Sequence, residues 1–150
     1  MKALNVAYYF LLKATHEGDL ITNLKLQKLL YYAQTWYLVN FEKPLFNERL
    51  LAWDLGPVVR EVYQEFKKYG GNPINIKDKN VFKNITDNIQ KDTIDYLEEF
   101  YDSYIGLSAH ELVNMTHNEE PWEKAYKSIS KIISLNTMKD YYQKKYKESE

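Results

Sequence analysis

Ala52-Trp53-Asp54-Leu55-Gly56-Pro57-Val58-Val59-Arg60-Glu61-Val62-Tyr63 gives the backbone several instructions at once. Gly56 tolerates almost any φ, whereas Pro57 holds φ near the helical value and lacks the N–H that a first helical residue leaves unpaired. The stretch therefore predicts a helix starting at Pro57. Val58, Val59, Val62, Phe66 and Tyr69 recur at three- and four-residue steps, with Arg60, Glu61, Gln64, Lys67 and Lys68 on the other face. Gly70-Gly71 is the stop signal. Trp53, just before the start, can plug the seam between neighbouring helices or stand at the surface as a binding anchor. Gly56 and Pro57 are expected to form a structural turn, in which a β-carbon on Gly56 would point towards Trp53.

Towards the N-terminus, Ala3 to about Thr15 is apolar nearly all round, as suits a helix enclosed by others. Thr22 can cap a second helix with the apolar stripe Leu26, Leu29, Leu30, Ala33 and Tyr37. Lys25, Gln27, Lys28 and Gln34 fall on or beside its polar side, and Pro44 closes it. Leu45 to Leu51 reads as extended or loop-like, with a short edge strand pairing with Ile74-Asn75-Ile76 as an option.

Towards the C-terminus, residues 70 to 86, including Pro73, Lys77, Asp78 and Lys79, form the most loop-like stretch and the expected mobile one. After Asp87, Ile89, Thr93, Leu97, Phe100 or Tyr101, and Tyr104 mark a third long helix ending at Gly106. Ser108 and Glu111 have capping-box spacing, flanked by Leu107 and Leu112. Pro121 opens a helical turn with Glu119 and Glu120 at its positive end. A last helix runs from about Leu135 to Tyr146. The sum is an all-α, mostly helical, compact single domain over residues 1–150, with about six to seven helices and room for one short β-hairpin.

At 150 residues the chain can bury roughly 70% of its unfolded surface, so a core needs no staples. It has no Cys, which removes disulfides and thiol chemistry and favours a reducing, cytoplasmic setting. The apolar run from Met1 to Leu12 is too short to span a bilayer. Net charge is −1, from 20 Lys plus Arg against 21 Asp plus Glu, so no global field draws the chain to nucleic acid or an anionic membrane. Its 14 Tyr supply residues suited to core edges and interfaces.

Reaction chemistry has little to stand on. His110 and His117 lie near Glu111 and Glu119 but lack the spacing of a zinc helix and a third ligand cluster. Ser108 and His110 lack a nucleophile elbow, and Gly70-Gly71 has no phosphate-cradle pattern. The residues indicate no catalytic centre, metal or cofactor.

Thr22-Asn23-Leu24-Lys25-Leu26-Gln27-Lys28-Leu29-Leu30-Tyr31-Tyr32-Ala33, Pro44-Leu45-Phe46, Ala52-Trp53-Asp54-Leu55-Gly56-Pro57-Val58-Val59, Val62-Tyr63, Leu112 to His117 and Pro121-Trp122, in that order, resemble the Panacea domain. This is the SocA-like or GepA-like domain of bacterial and prophage antitoxins. The resemblance implies a mostly helical fold, no catalytic residues and a co-encoded protein toxin as partner. It offers two mechanisms, direct binding or delivery of the toxin to an ATP-dependent protease, for which Tyr141 to Glu150 is the candidate docking end. A DNA-binding regulator is a third reading, disfavoured by the near-neutral charge. The partner surface is expected on the polar side of the second helix, at Lys25, Lys28 and Tyr31, beside Trp53 and Gly56.

Overall fold

One helix, α2 (Asn23–Phe41), forms the axis of the molecule in the computed structural model, which describes residues 1–78 and 80–148. Every residue from Leu26 to Thr35 is buried, polar ones included. A helix covered on all sides needs neighbours on all sides. These are α1 (Ala3–Glu17), the hairpin strands β1 (Leu51–Trp53) and β2 (Gly56–Val58), α3 (Arg60–Phe66), α5 (Lys91–Tyr104), α6 (Ala109–His117) and α8 (Leu135–Glu148). The short helices α4 (Asn80–Thr86) and α7 (Glu120–Tyr126) complete the set. The chain is thus mostly helical, with eight α-helices and one two-stranded antiparallel hairpin among the described residues.

The roles of the first two helices are exchanged relative to the sequence pattern. α1 buries Val6, Ala7, Phe10, Leu11 and Ala14 but leaves Leu4, Tyr8 and Leu12 half-buried, whereas α2 is the enclosed one. Thr22 caps α2 by accepting from Lys25 N at 3.2 Å, and Gly18, at φ 77°, ends α1 in the left-handed region.

No helix starts at Pro57. Gly56, Pro57 and Val58 form β2, paired with Trp53, Ala52 and Leu51, and the helix begins at Arg60 after Val59 as N-cap. The φ that proline imposes suits an extended edge position as well as a first helical turn. The pairing then decides between them. β1 is flanked on its other side by an isolated bridge from Leu51 to Ile132, with Ala52 N donating to Lys131 O at 2.8 Å and Ile133 N to Leu50 O at 2.9 Å.

The optional strand between Leu45–Leu51 and Ile74–Ile76 does not form. Gln34 satisfies Leu45 and Phe46 instead: its Oε1 accepts from their two amides and its Nε2 donates to Phe46 O at 2.8 Å. Ile74 N donates to Ile21 O at 2.9 Å. Helix α4 occupies part of the stretch read as a mobile loop, held by Phe82, which is buried with its ring 6.3 Å from that of Tyr8. Lys79, within that loop, lies outside the described residues, as do Ser149 and Glu150 of the candidate docking end.

Candidate partner-binding site

The site is built on the polar side chains of α2. Gln27 Oε1 accepts from Val59 N at 2.9 Å, and its Nε2 donates to Asn23 Oδ1 at 2.9 Å. Asn23 Nδ2 in turn donates to Tyr63 O at 3.2 Å. Lys28 Nζ donates to Pro57 O at 2.9 Å. Asn23, Gln27 and Lys28 thus hold the backbone at Tyr63, Val59 and Pro57, the segment that leads from β2 into α3. Each replaces a hydrogen bond that water would otherwise supply, as burial demands.

Lys28 is completely buried, and no carboxylate pairs with it among the described residues. Burial alone lowers its pKa from 10.5 to about 7. Its aliphatic stem crosses directly over Gly56, whose φ is 109°. A β-carbon there would stand 2.6 Å from Lys28 Cε and 2.9 Å from Thr116 Oγ1, so it would meet these two side chains rather than Trp53. Thr116 is itself held, donating to Val113 O at 2.8 Å, and α2, the hairpin and α6 meet at this glycine.

On the other side an aromatic column braces the turn. His117, Trp122 and Tyr126 stack with centroids 4.0 and 4.7 Å apart. Trp122 Nε1 donates to Trp53 O at 2.9 Å, and Tyr126 OH to Asp54 Oδ1 at 2.5 Å. Lys131 Nζ lies 4.3 Å from the Tyr126 centroid, a cation over a ring face. So braced, the turn holds Leu55 out at 57% exposure. Between the turn, the start of α2 and the end of α3 lies a cleft of about 550 Å³, lined by Leu24, Lys28, Trp53, Leu55, Tyr63 and Lys67 among others. The Trp53 and Tyr63 rings meet edge to face in its wall, 5.0 Å apart. An apolar, aromatic cleft with an exposed leucine and a cationic rim suits a protein surface as ligand.

Residues 26–123 match the family described as antitoxin SocA-like, Panacea domain. The chain belongs to that family. It is also 33% identical over 127 residues to antitoxin SocA of Caulobacter vibrioides (strain NA1000 / CB15N), an alignment covering 79% of this chain and 66% of that protein. The chain thus spans just under two thirds of its relative's length. No solved structure matches.

In this SocA-like domain the residues expected to share an exposed polar face are separated. Lys25 is half-buried and donates to Ile105 O at 2.7 Å, placing a cation on a terminal carbonyl of α5. Lys28 goes to the hairpin. Tyr31, also fully buried, points to α8, where its hydroxyl lies 3.0 Å from that of Tyr142. The polar side of α2 is therefore interior, and a Lys28→Glu change would bury an acidic group rather than test a surface. Lys28 and half-buried Trp53 do line one cleft, and Gly56 lies against the Lys28 stem. Ser108 and Glu111 form a capping box at α6, with Glu111 N donating to Ser108 Oγ at 3.0 Å and Ser108 N to Glu111 Oε1 at 3.2 Å.

Two features of the SocA-like domain escaped the sequence reading. Glu119, N-cap of α7, is nearly fully buried and accepts from Tyr32 and Tyr142 hydroxyls on Oε1 and from Lys145 Nζ on Oε2, the last at 2.7 Å. Burial opposes the charge on Lys145, but the hydrogen bond and charge of Glu119 outweigh it and raise its pKa. The other is the pairing of Asp54 with Tyr126. Glu119 carried only a helix-dipole signal in sequence, and nothing local marked it as buried. No group of three metal-ligating side chains occurs among the described residues, and no helix of theirs is long and apolar enough to cross a membrane.

Proposed function

We propose that this chain is an antitoxin that neutralises a co-encoded protein toxin by binding it directly, with the cleft beside the hairpin as the contact surface. Family membership across residues 26–123, a span containing most of α2 and the whole hairpin, carries the reading. The surface supports it. Leu55 is held out on a two-residue turn braced from both sides, so little conformational entropy remains to be lost when a partner covers it. Trp53 and Tyr63 beside it are residue types from which interface hot spots are built.

Co-expression tests the reading. The protein encoded by the adjacent reading frame should arrest growth alone and be tolerated when this chain is present. A harmless neighbour, or arrest that this chain fails to relieve, overturns it. Toxin half-life separates direct blocking from delivery to an ATP-dependent protease. Blocking leaves the half-life unchanged by this chain, whereas delivery shortens it.

A further inference from the structure

Arg49 and Arg60 are the only arginines in the sequence, and both line one groove on the outer side of the hairpin. The groove encloses about 510 Å³. Leu51 and Ile132, joined by their isolated bridge, line it together with Asn47 and Ser130. Both arginines are exposed, and neither guanidinium has a hydrogen bond, ion pair or ring contact among the described residues. Two carboxylates share the groove without pairing to them. Glu48 accepts from Ala3 N at 3.0 Å, and Glu61 lies in the first turn of α3, where the helix dipole favours a negative charge. Next to Ser130, Ile129 is fully exposed.

Guanidinium groups recognise carboxylates and phosphates through paired, fork-like hydrogen bonds. Glu48 and Glu61 balance the charge of Arg49 and Arg60, so a continuous polyphosphate would meet repulsion as well as attraction. A single carboxylate meets the forks alone. We propose that this groove docks a short acidic segment of a partner protein, its carboxylate held by Arg49 and Arg60 and an adjoining apolar side chain set against Leu51, Ile132 and Ile129. This is a second recognition surface, separate from the Trp53 cleft, and it stands whether or not the partner is a toxin.

The test is a nuclear magnetic resonance titration of the whole nitrogen-15-labelled chain, observing the Arg Nε–H signals. The probes are the end-blocked peptide Leu-Glu-Leu, its amide counterpart Leu-Gln-Leu, and a short DNA duplex. The acidic peptide should shift the Arg49 and Arg60 signals, and the amide peptide should not. The double variant R49Q/R60Q should weaken binding by roughly tenfold or more, since two charge-assisted contacts are lost. Its melting temperature should stay at the wild-type value, because exposed side chains without partners contribute little to stability. No shift at millimolar acidic peptide, an equal response to the amide peptide, or a stronger response to DNA would each overturn the proposal.

Discussion

Lys28 reaches the Pro57 carbonyl at 2.9 Å across the space that a β-carbon on Gly56 would occupy. One buried side chain thus ties the central helix to the hairpin turn, and one missing side chain makes room for it. The turn inherits its position from the core instead of from its own short strands. A two-stranded hairpin alone is marginal in water, so the rigidity of Leu55 and Trp53 derives from this tie and from the aromatic column on the opposite side.

Gly56→Ala should therefore destabilise the fold without altering any surface group. The native φ of 109° is unfavourable for an L side chain, and the new methyl would stand 2.6 Å from Lys28 Cε. Backbone strain of this kind costs roughly 1–3 kcal/mol, and displacement of a pinned lysine adds to it. Urea denaturation measures the loss. Adding Lys28→Ala removes the closer of the two clashes and leaves the one with Thr116 Oγ1, so the two changes should be non-additive, with the double variant more stable than the sum of single losses implies. Strict additivity would mean that the two residues do not compete for the same space.

Lys28 should also leave a signature in the pH dependence of stability. Its folded pKa is about 7, below its ordinary value of 10.5, because it is buried. Between those values the unfolded chain holds a proton that the folded chain has released, so stability from this group rises with pH across that window and is lost as pH falls through it. The slope is at most about 1.4 kcal/mol per pH unit. Tyr31, Tyr32 and Tyr142 act in the opposite sense, since burial raises them above 10.0 and stability falls once their unfolded counterparts ionise. Denaturation midpoints of the wild type should climb from pH 7 and turn down above about pH 10. Lys28→Met should flatten the climb and keep the downturn; an equally steep climb in that variant would assign it to another group.

One turn along α2 from Lys28, at Tyr32, Glu119 joins three elements, α2, α7 and α8, through a single carboxylate. Glu119→Gln keeps one acceptor oxygen for Tyr32 and Tyr142 but turns an amide NH₂ towards Lys145 Nζ, setting donor against donor. The expected cost is roughly 1–3 kcal/mol, the range for leaving a buried hydrogen-bonding group unsatisfied. Lys145 is half exposed, so Lys145→Ala should cost less than about 1 kcal/mol. Calorimetric melting of both variants gives the order, and a larger loss in Lys145→Ala would make the ion pair, rather than the tyrosine hydrogen bonds, the principal contribution.

Much of the helical framework was legible because its signals are local. Thr22 and Ser108 cap helices by contacts three residues away, and the periodic stripe of α5 marks its buried side. What the sequence hid is long-range. Gln27, Lys28 and Gln34 read as a solvated face because they are polar, yet their backbone partners lie 32, 29 and 12 residues away and bring no local signal. Pro57 was ambiguous for a different reason, since one fixed φ serves both a helix start and an edge strand. The cleft was legible through Lys28 and Trp53, whereas Tyr63 and Leu55 gain their meaning from a hairpin turn at Asp54-Leu55 that a helix starting at Pro57 does not contain.

Leu55 supplies the most direct test of the recognition surface. At 57% exposure on the tip of the hairpin it makes no contact that the fold requires, and an aspartate is at home in a tight turn. Leu55→Asp should accordingly melt within a degree or so of the wild type, as surface changes usually stay within about 0.5 kcal/mol. If the toxin covers this turn, the same change places a charge against an apolar surface, and hot-spot truncations of that kind cost about 2 kcal/mol or more, or roughly thirtyfold in affinity. Growth rescue by Leu55→Asp should then be lost at wild-type protein levels, and binding of the purified toxin should weaken in step. Full rescue by a normally folded Leu55→Asp protein would move the contact away from the hairpin, leaving the antitoxin role itself to be judged by the wild-type co-expression result.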